Sequence, residues 1–129
     1  MLRNDEQYER GRALLAKLHG GHAGEALVKA QEGICPDFAA MSIEWALGGV
    51  MSRPGLDLKT RQLVVVAACT TLGFAAPQLR AHVEGALAVG ATKEEVVETI
   101  LQTLFYAGGA AVANALGVAK GAFDEAPGR

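Results

Sequence analysis

The sequence predicts an all-α domain, a compact bundle of about six to seven helices. Three observations carry that expectation. Alanine supplies 24 of the 129 residues and proline only 4, a balance that favours helix before any pattern is read. Apolar residues recur at helical spacing along most of the chain. Glycine, proline and short polar residues stand where those segments must start and stop.

The first helix covers about Asp5–Leu18, with Tyr8, Leu14, Leu15 and Leu18 near one face and Gly20-Gly21 as its stop. A short helix over about Gly24–Gln31 follows, ending before Gly33. Pro36 opens the third at a first-turn position, where its missing amide proton costs nothing, and Asp37 sits beside the positive end of the dipole. That helix carries Phe38, Met41, Ile43, Trp45 and Leu47 and ends at Gly48-Gly49. Pro54-Gly55 sets a loop, after which Asp57 caps a fourth helix, Leu58 to about Leu72, closed by Gly73. Its middle, residues 63–69, is apolar on every face and reads as a central buried helix rather than a strand, given its length and Lys59, Arg61 and Gln62 in the first turns. Pro77 begins the fifth helix, which reaches Val89. Thr92 and Glu95 have the spacing of a capping box for the sixth, to about Tyr106. The seventh runs from about Ala110 to Phe123.

Charge and composition exclude several classes of function. Twelve Lys and Arg against 14 Asp and Glu, without a basic stripe, argue against a nucleic-acid partner. The polar, acidic opening Met1–Gln7 is not a secretory signal. Residues 99–119 carry no formal charge, but Gly108-Gly109 divides them and no Lys or Arg cluster flanks them. Two buried helices meeting at the glycine pair explain the stretch better than a membrane span. Two cysteines, Cys35 and Cys69, make neither a disulfide framework nor a zinc quartet, so a reducing, cytoplasmic setting is expected. No Cys-x-x-Cys, P-loop, dinucleotide glycine fingerprint or His-Glu-x-x-His occurs, and no metal or cofactor is expected. The apolar helices exceed what one small core uses, which points to self-association.

The residues able to do chemistry are few. His19 and His22 flank a glycine pair and are expected in solvent. His82 neighbours Leu79, Gly85 and Ala86 at helical spacing, either as a core imidazole satisfied by a carbonyl or as a proton carrier in a water-poor pocket. Cys69 precedes it by one helix and reads as a small buried hydrophobe, with Cys35 equally inert. Arg53, in the Pro-Gly loop, is placed to receive a carboxylate bidentately. Arg61 lies in the first turn of the fourth helix, against the dipole's preference, as a charge kept for a partner would; an ordinary surface salt bridge is the alternative for both arginines.

The run Ser52-Arg53-Pro54-Gly55-Leu56-Asp57 with Thr60-Arg61, then Leu79-Arg80-Ala81-His82-Val83-Glu84-Gly85-Ala86-Leu87, then Leu101–Gly108, resembles the carboxymuconolactone decarboxylases. Tyr8-Glu9-Arg10-Gly11 and Glu44-Trp45-Ala46 extend the likeness over nearly the whole chain. The resemblance implies an alkyl hydroperoxidase D-like fold assembled as homo-trimers or homo-hexamers, and decarboxylation of a small carboxylated lactone without a cofactor. It implies His82 as the catalytic histidine and places Arg53 in the family's loop; Arg53 and Arg61 are the substrate-binding candidates, with Glu44, Trp45, Cys69 and Tyr106 as candidate pocket residues. Gly49 and Met51 stand where such proteins carry a Glu and a Trp. The peroxidase branch places Cys-x-x-Cys shortly before the histidine and a Glu early in the central helix. Here residues 74–79 contain no cysteine and Gln62 stands near the Glu position, so thiol peroxidase chemistry is not expected.

Overall fold

The computed structural model describes residues 4–20 and 23–125, leaving His22 outside them. Eight α-helices and one π-helical segment, with no strand, make up the described chain: α1 Asp5–His19, α2 Ala23–Ile34, α3 Pro36–Met41, the π segment Ser42–Val50, α4 Leu58–Leu72, α5 Ala76–Ala88, α6 Lys93–Gln102, α7 Leu104–Ala107 and α8 Gly109–Asp124. Polar caps set several ends. Asn4 accepts from the Gln7 amide, Asp57 from Thr60, and Thr92 with Glu95 completes the capping box. Gly73 closes α4 at φ +82°, a conformation that costs glycine nothing.

Two clusters of apolar side chains form the interior. Leu14, Leu15, Leu18, Val28, Ile43 and Leu47 fill the N-terminal one, and Val66, Leu79, Val83, Val96, Ile100 and Val112 belong to the C-terminal one. The helix at the centre is α5, which packs on α1, α2, α4, α6 and α8. Small residues fit it for that place, since Ala81, Gly85 and Ala86 are all buried.

Several sequence expectations change here. The fourth helix is not buried all round: Gln62, Val66, Cys69 and Thr70 face inward, while Val64 is 56% exposed. An all-apolar helix does not by itself reveal which face its own subunit covers. The 99–119 stretch is not a buried pair of helices either. The sixth helix stops at Gln102, and α7 leaves Phe105 and Tyr106 94% and 85% exposed. Gly33 lies inside α2 rather than beyond its end.

Gly48 and Gly49 do not end a helix. The chain passes from α3 into π geometry without a break, and the Met51 amide reaches back five residues to the Ala46 carbonyl at 2.8 Å. Gly48 serves a crossing instead. A Cβ on Gly48 would lie 2.0 Å from the Gln7 carbonyl oxygen, and one on Gly11 would lie 2.0 Å from that of Ile43. Backbone therefore meets backbone where α1 crosses the π segment, and only glycine fits on either side. Polar side chains satisfy the last carbonyls of the segment: Ser52 Oγ donates to Leu47 at 2.6 Å and Arg10 Nε to Gly48 at 2.9 Å.

Gly11→Ala is expected to cost at least about 1–3 kcal/mol through overpacking at this crossing. Gly117→Ala, where the added carbon meets nothing within 4 Å beyond its own stretch of helix, should gain about 0.5–1 kcal/mol of helix propensity. Urea unfolding of the two variants checks both signs.

Candidate active site

Two of the buried polar residues, His19 and Gln62, meet at one place, between α1, α4 and α5. Gln62, in the second turn of α4, has no exposed surface. Its Oε1 lies 2.8 Å from Nδ1 of His82, which α5 presents from its middle. Its amide nitrogen faces the Met51 thioether at 3.7 Å. His82 itself is half-buried rather than sealed. The ring of His19, the last residue of α1, stands edge-on to it, with centroids 5.5 Å apart and planes at 83°.

His19 is 4% exposed, which corrects the expectation that it lies in solvent. Two glycines make its burial feasible. A Cβ on Gly24 would sit 2.3 Å from Cγ of His19, and one on Gly85 would sit 3.1 Å from its Cε1 and 2.9 Å from Gln62 Oε1. Its Nδ1 is buried without a hydrogen-bond partner. Burial lowers the pKa of His19, offset in part by the Glu84 carboxylate and the Ala81 backbone. Burial, and then the charge His19 would carry, bring His82 from 6.5 to about 4. Both rings are neutral near pH 7.

Arg53 projects from the loop into an open groove of about 500 Å³, where Arg10, Lys17, Met51 and Asp57 also line the walls. A second groove, about 550 Å³, shares Arg10 and Arg53 and adds Gln7, Trp45 and Gly49. His82 lines neither. Met51 links the two regions, since it walls the groove and touches the amide that holds the imidazole. Arg61 turns back on the loop, donating from Nη2 to the Arg53 carbonyl at 3.0 Å and from Nε to that of Leu56 at 3.2 Å. It staples the segment that carries Arg53.

Residues 36–121, two thirds of the chain, match the Carboxymuconolactone decarboxylase family. The chain belongs to that family. It is 35% identical over 124 residues to 4-carboxymuconolactone decarboxylase of Acinetobacter baylyi, covering 95% of this chain and 91% of the relative. An uncharacterised 15.0 kDa protein of Paracoccus denitrificans is 41% identical over 99 residues, 76% of this chain and 74% of its own. Nitrosuccinic acid decarboxylase of Metarhizium robertsii is 40% identical over 70 residues, half of this chain and 45% of that protein.

Against the family pattern, the space above Gly49 is filled by Gln7. A Cβ there would lie 2.8 Å from Gln7 Nε2, which donates to the Glu44 carbonyl at 2.9 Å. The Glu44 carboxylate accepts from the Asn4 amide at 3.0 Å, so it serves the start of α1. The remaining candidate pocket residues do not gather round His82. Trp45 is 68% exposed beside Arg53, and Tyr106 stands in solvent on α7. Cys69 borders a small void with Thr70 and Leu79, its thiol pushed up by burial. Cys35 is exposed.

Sequence reasoning passed over Gln62 and His19 as site residues. Gln62 shares a helical face with Val66 and Cys69, and His19 follows Leu15 by one turn; both spacings marked an inward direction.

The lowered histidines carry a pH signature. In the unfolded chain His82 titrates near 6.5 and in the fold near 4, so its contribution is complete above pH 6.5 and is lost as the pH falls from there towards 4. Urea unfolding across that window should show stability falling with acid, and His82→Asn should flatten the slope.

Proposed function

We propose that the chain is a cofactor-free decarboxylase-type lyase acting on a small carboxylated lactone such as 4-carboxymuconolactone. The observation that carries the reading is His82, a neutral imidazole, half-buried, tied at Nδ1 to Gln62 and faced by the ring of His19. The Acinetobacter relative, aligned over nearly the full length of both chains, supports the choice of substrate class.

Decarboxylation of an unsaturated lactone breaks the carbon–carboxylate bond. The electron pair left on carbon spreads through the ring onto the lactone carbonyl oxygen, so the substrate is its own electron sink. One carboxylate and one proton become one carbon–hydrogen bond and one carbon dioxide. The protein must hold the anion, limit water and deliver that proton. His82 is the proton carrier in this reading: the charge of a bound carboxylate favours the imidazolium, and the growing carbanion takes the proton. Arg53, held by Arg61 and flanked by Arg10 and Lys17, grips the carboxylate.

A second reading rests on the separation of Arg53 from His82 by Met51 and Gln62. Under it the chain is a divergent member that acts on another lactone or keto acid, or binds such an acid without turnover. Loss of ultraviolet absorbance and release of carbon dioxide from 4-carboxymuconolactone decide between them. Under the lyase reading His82→Asn lowers kcat by about 10²–10⁴-fold, and Arg53→Ala raises KM by about tenfold or more. Calorimetric binding of the lactone with no carbon dioxide released would favour the second reading.

Assembly as a homo-trimer or homo-hexamer belongs to the same proposal, supported by the exposed side chains of Phe74, Leu101, Leu104, Phe105 and Tyr106. Sedimentation at micromolar concentration is expected to give a species of three or six chains, and Phe105→Asp to shift it towards the monomer. A wild-type monomer would contradict it.

A further inference from the structure

We infer that Gln62 is a positioning residue: it holds His82 as the Nδ1–H tautomer and leaves Nε2 as the nitrogen that takes up and hands on the proton. The inference rests on the reading of His82 as proton carrier and adds which atom carries and what selects it.

The argument starts from the amide. Gln62 is fully buried, so both ends of its side chain need partners within the protein. One end meets the Met51 sulfur, an acceptor without a proton to give, and the other meets Nδ1 of His82. With the amide nitrogen on sulfur and the oxygen on the imidazole, both contacts are donor to acceptor. The flipped amide would set oxygen against sulfur, two acceptors facing each other. An amide oxygen only accepts, so Nδ1 must bear the hydrogen, and in a neutral ring Nε2 is then a lone pair.

The surroundings keep the amide in that orientation. Gly85 lets Gln62 Oε1 approach α5 at a distance where a Cβ would stand 2.9 Å away. His19 faces His82 from α1 with ring centroids 5.5 Å apart, and the Glu84 charge acts on His19. No carboxylate accepts at Nδ1; an amide does. A neutral acceptor selects the tautomer without holding a permanent proton on the ring, so Nε2 is free to load when an anionic ligand arrives and to unload afterwards.

Nitrogen-15 NMR of the full-length chain at pH 7, with His82 assigned by its loss in His82→Asn, tests this without reference to turnover. The expected spectrum has a protonated Nδ1 and an unprotonated Nε2 at His82. Gln62→Met, similar in length but without the oxygen, should shift the ring towards the Nε2–H tautomer. It should also lower kcat on 4-carboxymuconolactone about 10²-fold, with KM changed less than about twofold. Gln62→Glu restores an acceptor and adds charge, so it should return Nδ1–H and move the acid limb of the kcat/KM profile to higher pH. A wild-type ring protonated at Nε2 would overturn the inference, as would an Nδ1–H ring that persists in folded Gln62→Met. Should that variant fail to fold, the wild-type and Gln62→Glu spectra still decide. Absent turnover with the expected tautomers would count against the lyase reading alone.

Discussion

A single hydrogen bond, from the imidazole of His82 to the amide of Gln62, organises the interior polar chemistry of this fold. Burying a primary amide or an imidazole without a partner costs several times what an ordinary hydrogen bond contributes, so α4 and α5 must meet in a register where each answers the other. That register places Val66 and Cys69 against Leu79 and Val83 in the larger apolar cluster. It also requires glycine at position 85, because any side chain there would press on both Gln62 and His19. Polar pairing and core packing thus select the same helix alignment.

The other half of the molecule is set by a different constraint, the contact of backbone with backbone at Gly11 and Gly48. Such close approach draws the π segment hard against α1, and π geometry widens the helix where Gly49 and Met51 leave it. The consequence reaches the site through two side chains. Gln7 occupies the position above Gly49 and bonds the Glu44 carbonyl, while Met51 is delivered onto Gln62. The family's Glu and Trp positions are therefore not simply vacant in this chain; an amide and a thioether take their places. Neither titrates in the physiological range, which leaves His19 and His82, with the Glu84 carboxylate acting on His19, to carry the charge changes of the cluster among the described residues.

Much of this was legible in the sequence, and the failures share a cause. Helix starts marked by Asp57, Thr92 and Pro36 were readable because such signals act locally, within the first turn. His82 was readable because its neighbours at three and four residues are apolar or small. His19 carried only the weaker signal of its spacing from Leu15, because the room for its ring comes from Gly24 and Gly85, one across a turn and one on another helix. Glycine at position 48 reads as a stop by its usual meaning, whereas its role lies in a crossing about forty residues away in sequence, at Gln7 and Gly11. The fourth helix misled in the opposite sense: its uniform apolarity marks total burial, but this subunit covers only the face that bears Gln62, Val66, Cys69 and Thr70.

A neutral imidazole suits the proposed chemistry better than a charged one. A permanent imidazolium would hold its proton in the empty site and pair with any anion that entered, whereas the reaction needs a ring that gains its proton with the substrate and gives it up to the substrate's carbon. A ring held near pKa 4 in the empty site makes no such attachment until the ligand's own charge draws a proton in. The reacting electrons then move towards the ring's proton, so the interaction grows along the reaction coordinate instead of fading. Desolvation and the facing His19 lower that basicity, and Gln62, as an acceptor without charge, leaves it low. The same three side chains that close the core between α1, α4 and α5 therefore set both where the proton sits and when it arrives.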